Sequence, residues 1–217
     1  MTLAARLALP LFLALVPFAP PAAAATQARE HSGFSAISLS APVEVELILG
    51  DRESVVLEGD EQVLAVIETA VEQGALHIRR KPGTSGWNSL APVRARVTAR
   101  QIRALSVAGS GDIKAAQVSA DSLAIAISGS GDVTIGGGKA QSLTVSIAGS
   151  GNVKAAKLDA QSVSVRISGS GDALVWARQS LAVKVAGSGD VTYYGDPAVA
   201  QSIAGSGSVR RLGASPA

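Results

Sequence analysis

The residues that could do chemistry in this chain are few and scattered. Its 217 residues include no cysteine and two histidines, His31 and His77. His77 lies between Leu76 and Ile78 in an alternating stretch, which predicts an ordinary surface position on a strand. Two separated histidines are poor evidence for zinc, and the recurring serines have no base beside them. We therefore predict that the protein is not an enzyme, with no catalytic residue and no cofactor.

Regularly spaced aspartates are the strongest candidate for ligand binding. Gly-Ser-Gly occurs six times, and aspartate follows four of the triplets, at Asp112, Asp132, Asp172 and Asp190. Calcium-binding β-rolls stack aspartates in columns, but they use nonapeptide repeats with aspartate in consecutive half-turns. Here one corner per coil has the aspartate, and Asn152 interrupts the column. We predict that the column is structural, each side chain accepting a hydrogen bond from a nearby backbone N–H as in an Asx-turn, and keep a calcium column as the alternative.

The triplets themselves predict the corners of a repetitive fold. They begin at positions 109, 129, 149, 169, 187 and 205, so the spacing is constant at first and then shortens slightly. Glycine reaches positive φ without steric cost and lets two backbones approach closely, as the corner of a stacked coil requires. The predicted corner glycines are Gly109, Gly111, Gly129, Gly131, Gly149, Gly151, Gly169, Gly171, Gly187, Gly189, Gly205 and Gly207. A second column, predicting a second corner, contains Ser122, Ser142, Ser162, Ser180 and Ser202.

The stretch between the second corner and the next triplet alternates apolar and polar residues. Leu143, Val145 and Ile147 alternate with Thr144 and Ser146, and other repeats follow the same pattern. Such alternation predicts a strand with one buried face. We therefore predict an all-β fold, a parallel β-helix or β-solenoid with coils of about 20 residues. The polar face of these strands is a candidate surface for weak glycan binding without cleavage.

The segment before the repeats is less regular and predicts a β-rich N-terminal cap. A short helix is expected over 61–67, with Asp60 as its N-cap, and a hairpin turn at Gln73-Gly74. The predicted strands of this segment are 34–39, 43–49, 55–58, 76–80 and 93–98.

The N-terminal segment 1–25 has the composition of a signal peptide. Arg6 precedes the apolar stretch 7–19, and small residues at 23–25 offer a cleavage site. Prolines interrupt the apolar stretch, so a membrane anchor is not expected, and the mature chain would start at Thr26 without a transmembrane segment. The predicted divisions are a signal peptide at 1–25, a flexible segment at 26–33, one solenoid domain at 34–210 (cap and lead-in strands at 34–104, repeat coils at 105–210) and a flexible tail at 211–217.

Charge is balanced overall but unevenly distributed. Residues 44–72 contain nine acidic side chains and one basic, whereas 79–103 contain seven basic and none acidic. We predict that these blocks form two solvated faces, for which pairing on neighbouring strands is one arrangement; the alternative is a basic patch for an anionic envelope glycan or lipid headgroup. Binding of nucleic acid is not expected, because aromatic residues are not interleaved with the basic ones.

These motifs together resemble the putative auto-transporter adhesin, head GIN domain family. The resemblance extends from about Phe34 to Arg210 and rests on 43–50, on 73–78, on the serial corners and on 193–197, Tyr-Tyr-Gly-Asp-Pro. It implies a pectin-lyase-like β-helix without the lyase active site, and a role in cell adhesion. We expect an exported protein, periplasmic, outer-membrane-associated or secreted, that binds a protein or glycan of the envelope or cell surface as an adhesion or scaffold domain. Assembly into a homo-oligomer through exposed end coils is a further alternative.

Overall fold

The chain winds around one apolar core. The computed structural model of the protein describes residues 25–84 and 92–216. These residues form 17 strands in one continuous sheet and one helix, α1, at Glu61–Ala65. The strands are β1 (Ala25–Arg29), β2 (Ala36–Ser40), β3 (Glu44–Leu49), β4 (Ser54–Gly59), β5 (Ile67–Glu72), β6 (Ala75–Arg80), β7 (Arg94–Ala99), β8 (Ala104–Gly109), β9 (Asp112–Ala115), β10 (Val118–Gly129), β11 (Val133–Ile135), β12 (Gly138–Gly149), β13 (Val153–Gly169), β14 (Ala173–Gly187), β15 (Val191–Tyr194), β16 (Ala198–Gly205) and β17 (Val209–Gly213).

The coils form a β-solenoid of about six turns with roughly 20 residues each, which confirms the predicted fold. A long side, residues 123–129 in one coil, stacks in parallel through β8, β10, β12, β13, β14 and β16. A short side stacks β9, β11, β13, β14, β15 and β17. A third side, residues 118–120, stacks on 138–140 and 158–160. The predicted second corner is the bend between the third and long sides.

Alternating side chains of the long side fill the core. In β12, Leu143, Val145 and Ile147 are buried while Thr144 and Ser146 are exposed, as the alternation predicts. No polar or charged residue within 25–84 and 92–216 is buried. Removal of this apolar surface from water and the axial hydrogen bonds between coils stabilise the stack.

The N-terminal coils do not stack in chain order. β2 lies between β6 and β8, and β3 lies between β7 and β9. Beyond them, β5 pairs antiparallel with β6, β4 with β7, and β1 with β4. Helix α1 adds Val63 and Leu64 to the core, so this end of the solenoid is covered.

The two local predictions for the cap are confirmed. The carboxylate of Asp60 accepts the N–H groups of Gln62 and Val63 at 2.9 and 3.4 Å, although the helix ends at Ala65 and not at 67. The residues Gln73 and Gly74, with φ of 52° and 76°, form the two-residue turn that joins β5 and β6. Positive φ at both positions matches the twist of the flanking strands.

Three predictions about the ends of the domain are wrong. The segment predicted as flexible at 26–33 contains most of β1, whose polar sequence is held by its backbone ladder with β4. The predicted flexible tail at 211–217 begins inside β17, which pairs with β15. Ser202 does not continue the serine column but lies beside Lys184, because the last coil places Ala198 next to Ser180.

The predicted signal peptide lies, except for Ala25, outside the described residues. Within the residues that the structure describes, no helix is long and apolar enough to cross a bilayer.

Candidate functional site

At the Gly-Ser-Gly corners, successive coils touch through their backbones. Gly149 has a φ of 131°. A Cβ added to Gly151 would lie 2.1 Å from the carbonyl oxygen of Gly131. The backbone N–H groups of Ser150 and Gly151 both donate to the carbonyl oxygen of Gly129, at 2.9 and 3.1 Å. These corners therefore join coils.

The aspartate column is a hydrogen-bond ladder along the solenoid. The N–H of Asp132 donates to Oδ1 of Asp112 at 2.8 Å, and the N–H of Asn152 donates to Oδ1 of Asp132 at 2.9 Å. The same contact is repeated at Asp172, Asp190 and Ser208. Asn152 fits the column because its amide oxygen accepts a bond as a carboxylate does. One oxygen of each side chain is thus occupied by the backbone of the next coil, and not by its own turn as an Asx-turn would require.

Asp132 makes the most contacts in this column. Burial acts to raise its pKa, but hydrogen bonds from the side chain and backbone of Asn152 and from Lys154 outweigh burial, and the net pKa lies below the ordinary value. Among the described residues, no three His, Asp or Glu side chains are grouped so that they could hold a metal ion. The histidines lie apart from the column: Nε2 of His31 is 2.8 Å from Oγ1 of Thr69, and His77 is half-buried in β6.

The two charged blocks pair with each other on neighbouring strands. Arg79 in β6 contacts Glu68 at 3.2 Å and Glu72 at 2.8 Å, and Arg96 in β7 contacts Glu58 at 3.1 Å. The hydrogen bond from Arg79 lowers the pKa of Glu68. Arginines that are neutralised by adjacent carboxylates make a weaker anion-binding patch than the sequence alone indicates.

A groove of about 920 Å³ runs along the solenoid where the second corners stack, and we call it the second-corner groove. Beside this groove, Ala120, Ala140 and Ala160 pair in register on successive strands, and their side chains pack in the core. The backbone pairing between coils is interrupted at the residue after each alanine, which is Asp121, Gln141 or Gln161, and it resumes at the serine column. The strand bends at that residue, and larger polar side chains stand beside the alanines.

Polar groups of several kinds line this groove. Its amides and carboxylates are Gln101, Gln141, Gln161, Asp121 and Asp159. Its cations are Arg103, Lys139 and Arg178. Positive and negative groups therefore alternate along the groove without one dominant charge.

Arg178, at one end of the groove, is held by Asp159 and by Trp176, which lies outside the groove lining. The guanidinium carbon of Arg178 lies 5.3 Å from the centroid of the Trp176 ring, and its Nε lies 3.4 Å from Oδ1 of Asp159. The β13–β14 register jumps at Asp159, where the next coil is shorter than the ones before it. Stacking and pairing together hold this guanidinium in place.

Sequence reasoning did not find this groove. It placed the glycan-binding alternative on the flat long side, whereas the concave surface lies at the second corner. The available signal was the amide or acidic residue before each corner serine, at Asp121, Gln141 and Gln161.

A comparison with protein families decides where this chain belongs. The model of the putative auto-transporter adhesin, head GIN domain family matches residues 33–197. The chain belongs to this family. No curated protein matches it.

Solved structures similar to this head GIN domain share its fold. A putative adhesin from Bacteroides fragilis has a TM-score of 0.71 at 20% identity, covering 89% of this chain and 99% of its own. A putative adhesin from Parabacteroides distasonis has a TM-score of 0.58 at 21% identity, with coverage of 88% and 97%. A structure from the same organism, described as a putative lipid binding protein, has a TM-score of 0.58 at 22% identity, with coverage of 87% and 96%.

Proposed function

We propose that this head GIN domain is an exported, non-enzymatic binding domain of the cell envelope that holds an extended glycan in the second-corner groove. The composition of the groove is the main support. Amides both donate and accept hydrogen bonds, carboxylates accept them, and guanidinium and ammonium groups donate them. A row of sugar hydroxyls needs such a mixture, whereas a polyanion would need mainly cations.

The repeat gives these groups a regular spacing. The in-register pairing of Ala120, Ala140 and Ala160 places equivalent positions of successive coils one strand spacing apart, roughly 4.8 Å. The groove crosses five coils, from the coil of Arg103 to that of Arg178, and is therefore roughly 19 Å long. An extended polysaccharide repeats its rings at a similar interval, so successive rings would meet equivalent sets of donors and acceptors.

The contacts in this groove would be individually weak. Among the described residues, no aromatic side chain lines it, so sugar rings have no stacking platform there. A net hydrogen bond contributes only about 0.5–1.5 kcal/mol. Binding would therefore depend on many contacts along a polymer, which suits adhesion, and we propose that the bound chain is not cleaved.

Export is part of this proposal and rests on the signal-peptide composition of residues 1–25. Mass spectrometry of the protein recovered from the producing cell's envelope is expected to find Thr26 as its first residue. An intact N-terminus on the envelope form would contradict cleavage.

Calorimetry of the mature chain with a panel of envelope and host polysaccharides tests whether it binds a glycan. Assays for released reducing ends test whether the bound glycan is cleaved. We expect binding without turnover, and a loss of about 10- to 100-fold in the double variant Gln141→Ala/Gln161→Ala. The matched control is Thr144→Ala/Ser164→Ala on the flat long side, which is expected to bind like the wild type. Loss of binding in the control only, or binding only to anionic lipid vesicles, would overturn the groove assignment.

A further inference from the structure

The C-terminal end of the solenoid is open, unlike the N-terminal end. Strand β16 pairs with β14 along one edge, and no strand among the described residues pairs with its other edge. All eight residues of β16 are exposed. At the opposite end, the antiparallel strands β4 and β5 and helix α1 cover the core. Strands β1 and β5 at that end also have, within the described part of the chain, one unpaired edge each, but the core beneath them is covered. Among the described residues, only the C-terminal end therefore presents a free strand edge over exposed core positions.

Three alternate residues of β16, Val199, Gln201 and Ile203, occupy positions that are buried in the preceding coil. Val199 is 42% exposed and pairs in register with Leu181, which is 1% exposed. Ile203 is 37% exposed and pairs with Val185, which is 3% exposed. The apolar interior thus continues to the end of the stack and meets solvent there, which favours a partner that extends the same sheet.

The sequence of β16 is complementary to itself. An antiparallel pairing about a two-fold axis at Gln201 would place Val199 opposite Ile203 of the partner subunit. The same axis would place Gln201 opposite Gln201 of the partner subunit. A primary amide carries both donor and acceptor groups, so two copies can bond each other across the axis. This explains a glutamine at a position that Val183 fills with an apolar side chain in the preceding coil.

We propose that two copies of this chain join end to end through antiparallel β16–β16 pairing. The two-fold axis is perpendicular to the sheet, so side chains that face the core in one copy face the core in the other, and the two cores become continuous. The contact closes on itself because the other end of each copy is covered, so the product is a dimer and not a filament. A single coil end is small compared with standard interfaces, and we expect a dissociation constant in the micromolar range.

Analytical ultracentrifugation of the mature chain across about 1–100 µM tests this assembly. We expect a monomer–dimer equilibrium. Ile203→Lys should weaken it by more than about 100-fold, because it leaves an unpaired charge in the joined core. The matched control is Ile48→Lys, since Ile48 is also exposed, at 46%, but lies on β3 away from this end. Circular dichroism checks that both variants are folded.

The register is tested by cysteine substitution, since the chain has no cysteine of its own. On oxidation, Gln201→Cys should give a disulfide-linked dimer, because residues facing each other in an antiparallel pair lie within disulfide range. Ile48→Cys should remain monomeric under the same conditions. A wild-type chain that stays monomeric at every concentration, an Ile203→Lys variant that dimerises like the wild type, or open-ended polymers would each overturn the proposal.

Discussion

Replacing Gly151 with alanine tests whether backbone contact at the corners is what holds the coils together. The added Cβ would lie 2.1 Å from the carbonyl oxygen of Gly131, well inside the 3.4 Å at which ordinary contact begins. It would also lie 2.7 Å from Cγ2 of Ile127. Neither neighbour can swing away, because one is backbone and the other is a buried core residue. The two coils must therefore separate at this corner.

The expected loss in the free energy of unfolding follows from the contacts that this separation breaks. Two hydrogen bonds to the carbonyl oxygen of Gly129, from Ser150 and Gly151, are lost or stretched, at about 1 kcal/mol each. Forced overpacking against Ile127 adds about 1–3 kcal/mol. We expect Gly151→Ala to lower the free energy of unfolding by about 3–5 kcal/mol.

Urea unfolding followed by circular dichroism measures this change, with two glycines as controls. Gly109 has a φ of 104° and nothing within 4 Å of an added Cβ, so alanine there adds only backbone strain, about 1–3 kcal/mol. At Gly213 the nearest atom is 3.9 Å away, so alanine should change stability by less than about 0.5 kcal/mol. A Gly151→Ala variant within about 1 kcal/mol of the wild type, or no less stable than Gly109→Ala, would refute the reasoning.

Two further predictions concern the aspartate column. Asp132→Ala should lower stability at neutral pH by about 1–3 kcal/mol, whereas Asp132→Asn, which keeps an acceptor oxygen, should cost less. Because the folded-state pKa of Asp132 lies below its ordinary value of 3.8, its ionised form stabilises the fold above about pH 4. Urea titrations should show this contribution disappearing as the pH falls below that value, and a difference between wild type and Asp132→Ala that persists unchanged at lower pH would contradict it. Calcium and EDTA should leave the melting temperature unchanged within about 1 °C, because each Oδ1 of the ladder already accepts a backbone hydrogen bond. A calcium-dependent rise in melting temperature that Asp132→Ala abolishes would favour the β-roll alternative.

Local features of this fold could be predicted from the sequence because each depends on neighbours in the chain. The buried face of β12 follows from the alternation of Leu143, Val145 and Ile147, and the start of α1 follows from Asp60 and the apolar residues behind it. The turn between β5 and β6 needs only two residues with positive φ. These features are set by the backbone of a few residues.

The stacking order and the groove depend on contacts between coils, which a local pattern does not encode. Strand β2 pairs with β6 and β8, and β3 pairs with β7 and β9, so each strand lies between partners that are distant in the chain. The groove requires alanines of different coils to lie in register, while the polar residues beside them look like ordinary surface residues one coil at a time. The serine column continues through Ser180, although that coil is shorter than the ones before it, and it fails at Ser202, where Ala198 takes the corner position.

Fold and specificity are separable in this solenoid because they use different positions of the same coil. The corner glycines contact the coils on either side, and Ala140 and Ala160 are buried in the core, so a larger side chain at these positions disrupts the stack. The side chains at Gln141, Lys139 and Asp159 project into the groove and are free to vary without changing the core. Chains with about 20% identity can therefore share this fold while presenting different groove surfaces. In the proposed antiparallel dimer, the second corner of one copy would lie beside the Gly-Ser-Gly corner of the other, because β16 runs from the second corner to the Gly-Ser-Gly corner. The two grooves would then lie on opposite edges of the joined sheet, so one dimer would bind two separate glycan chains and link them.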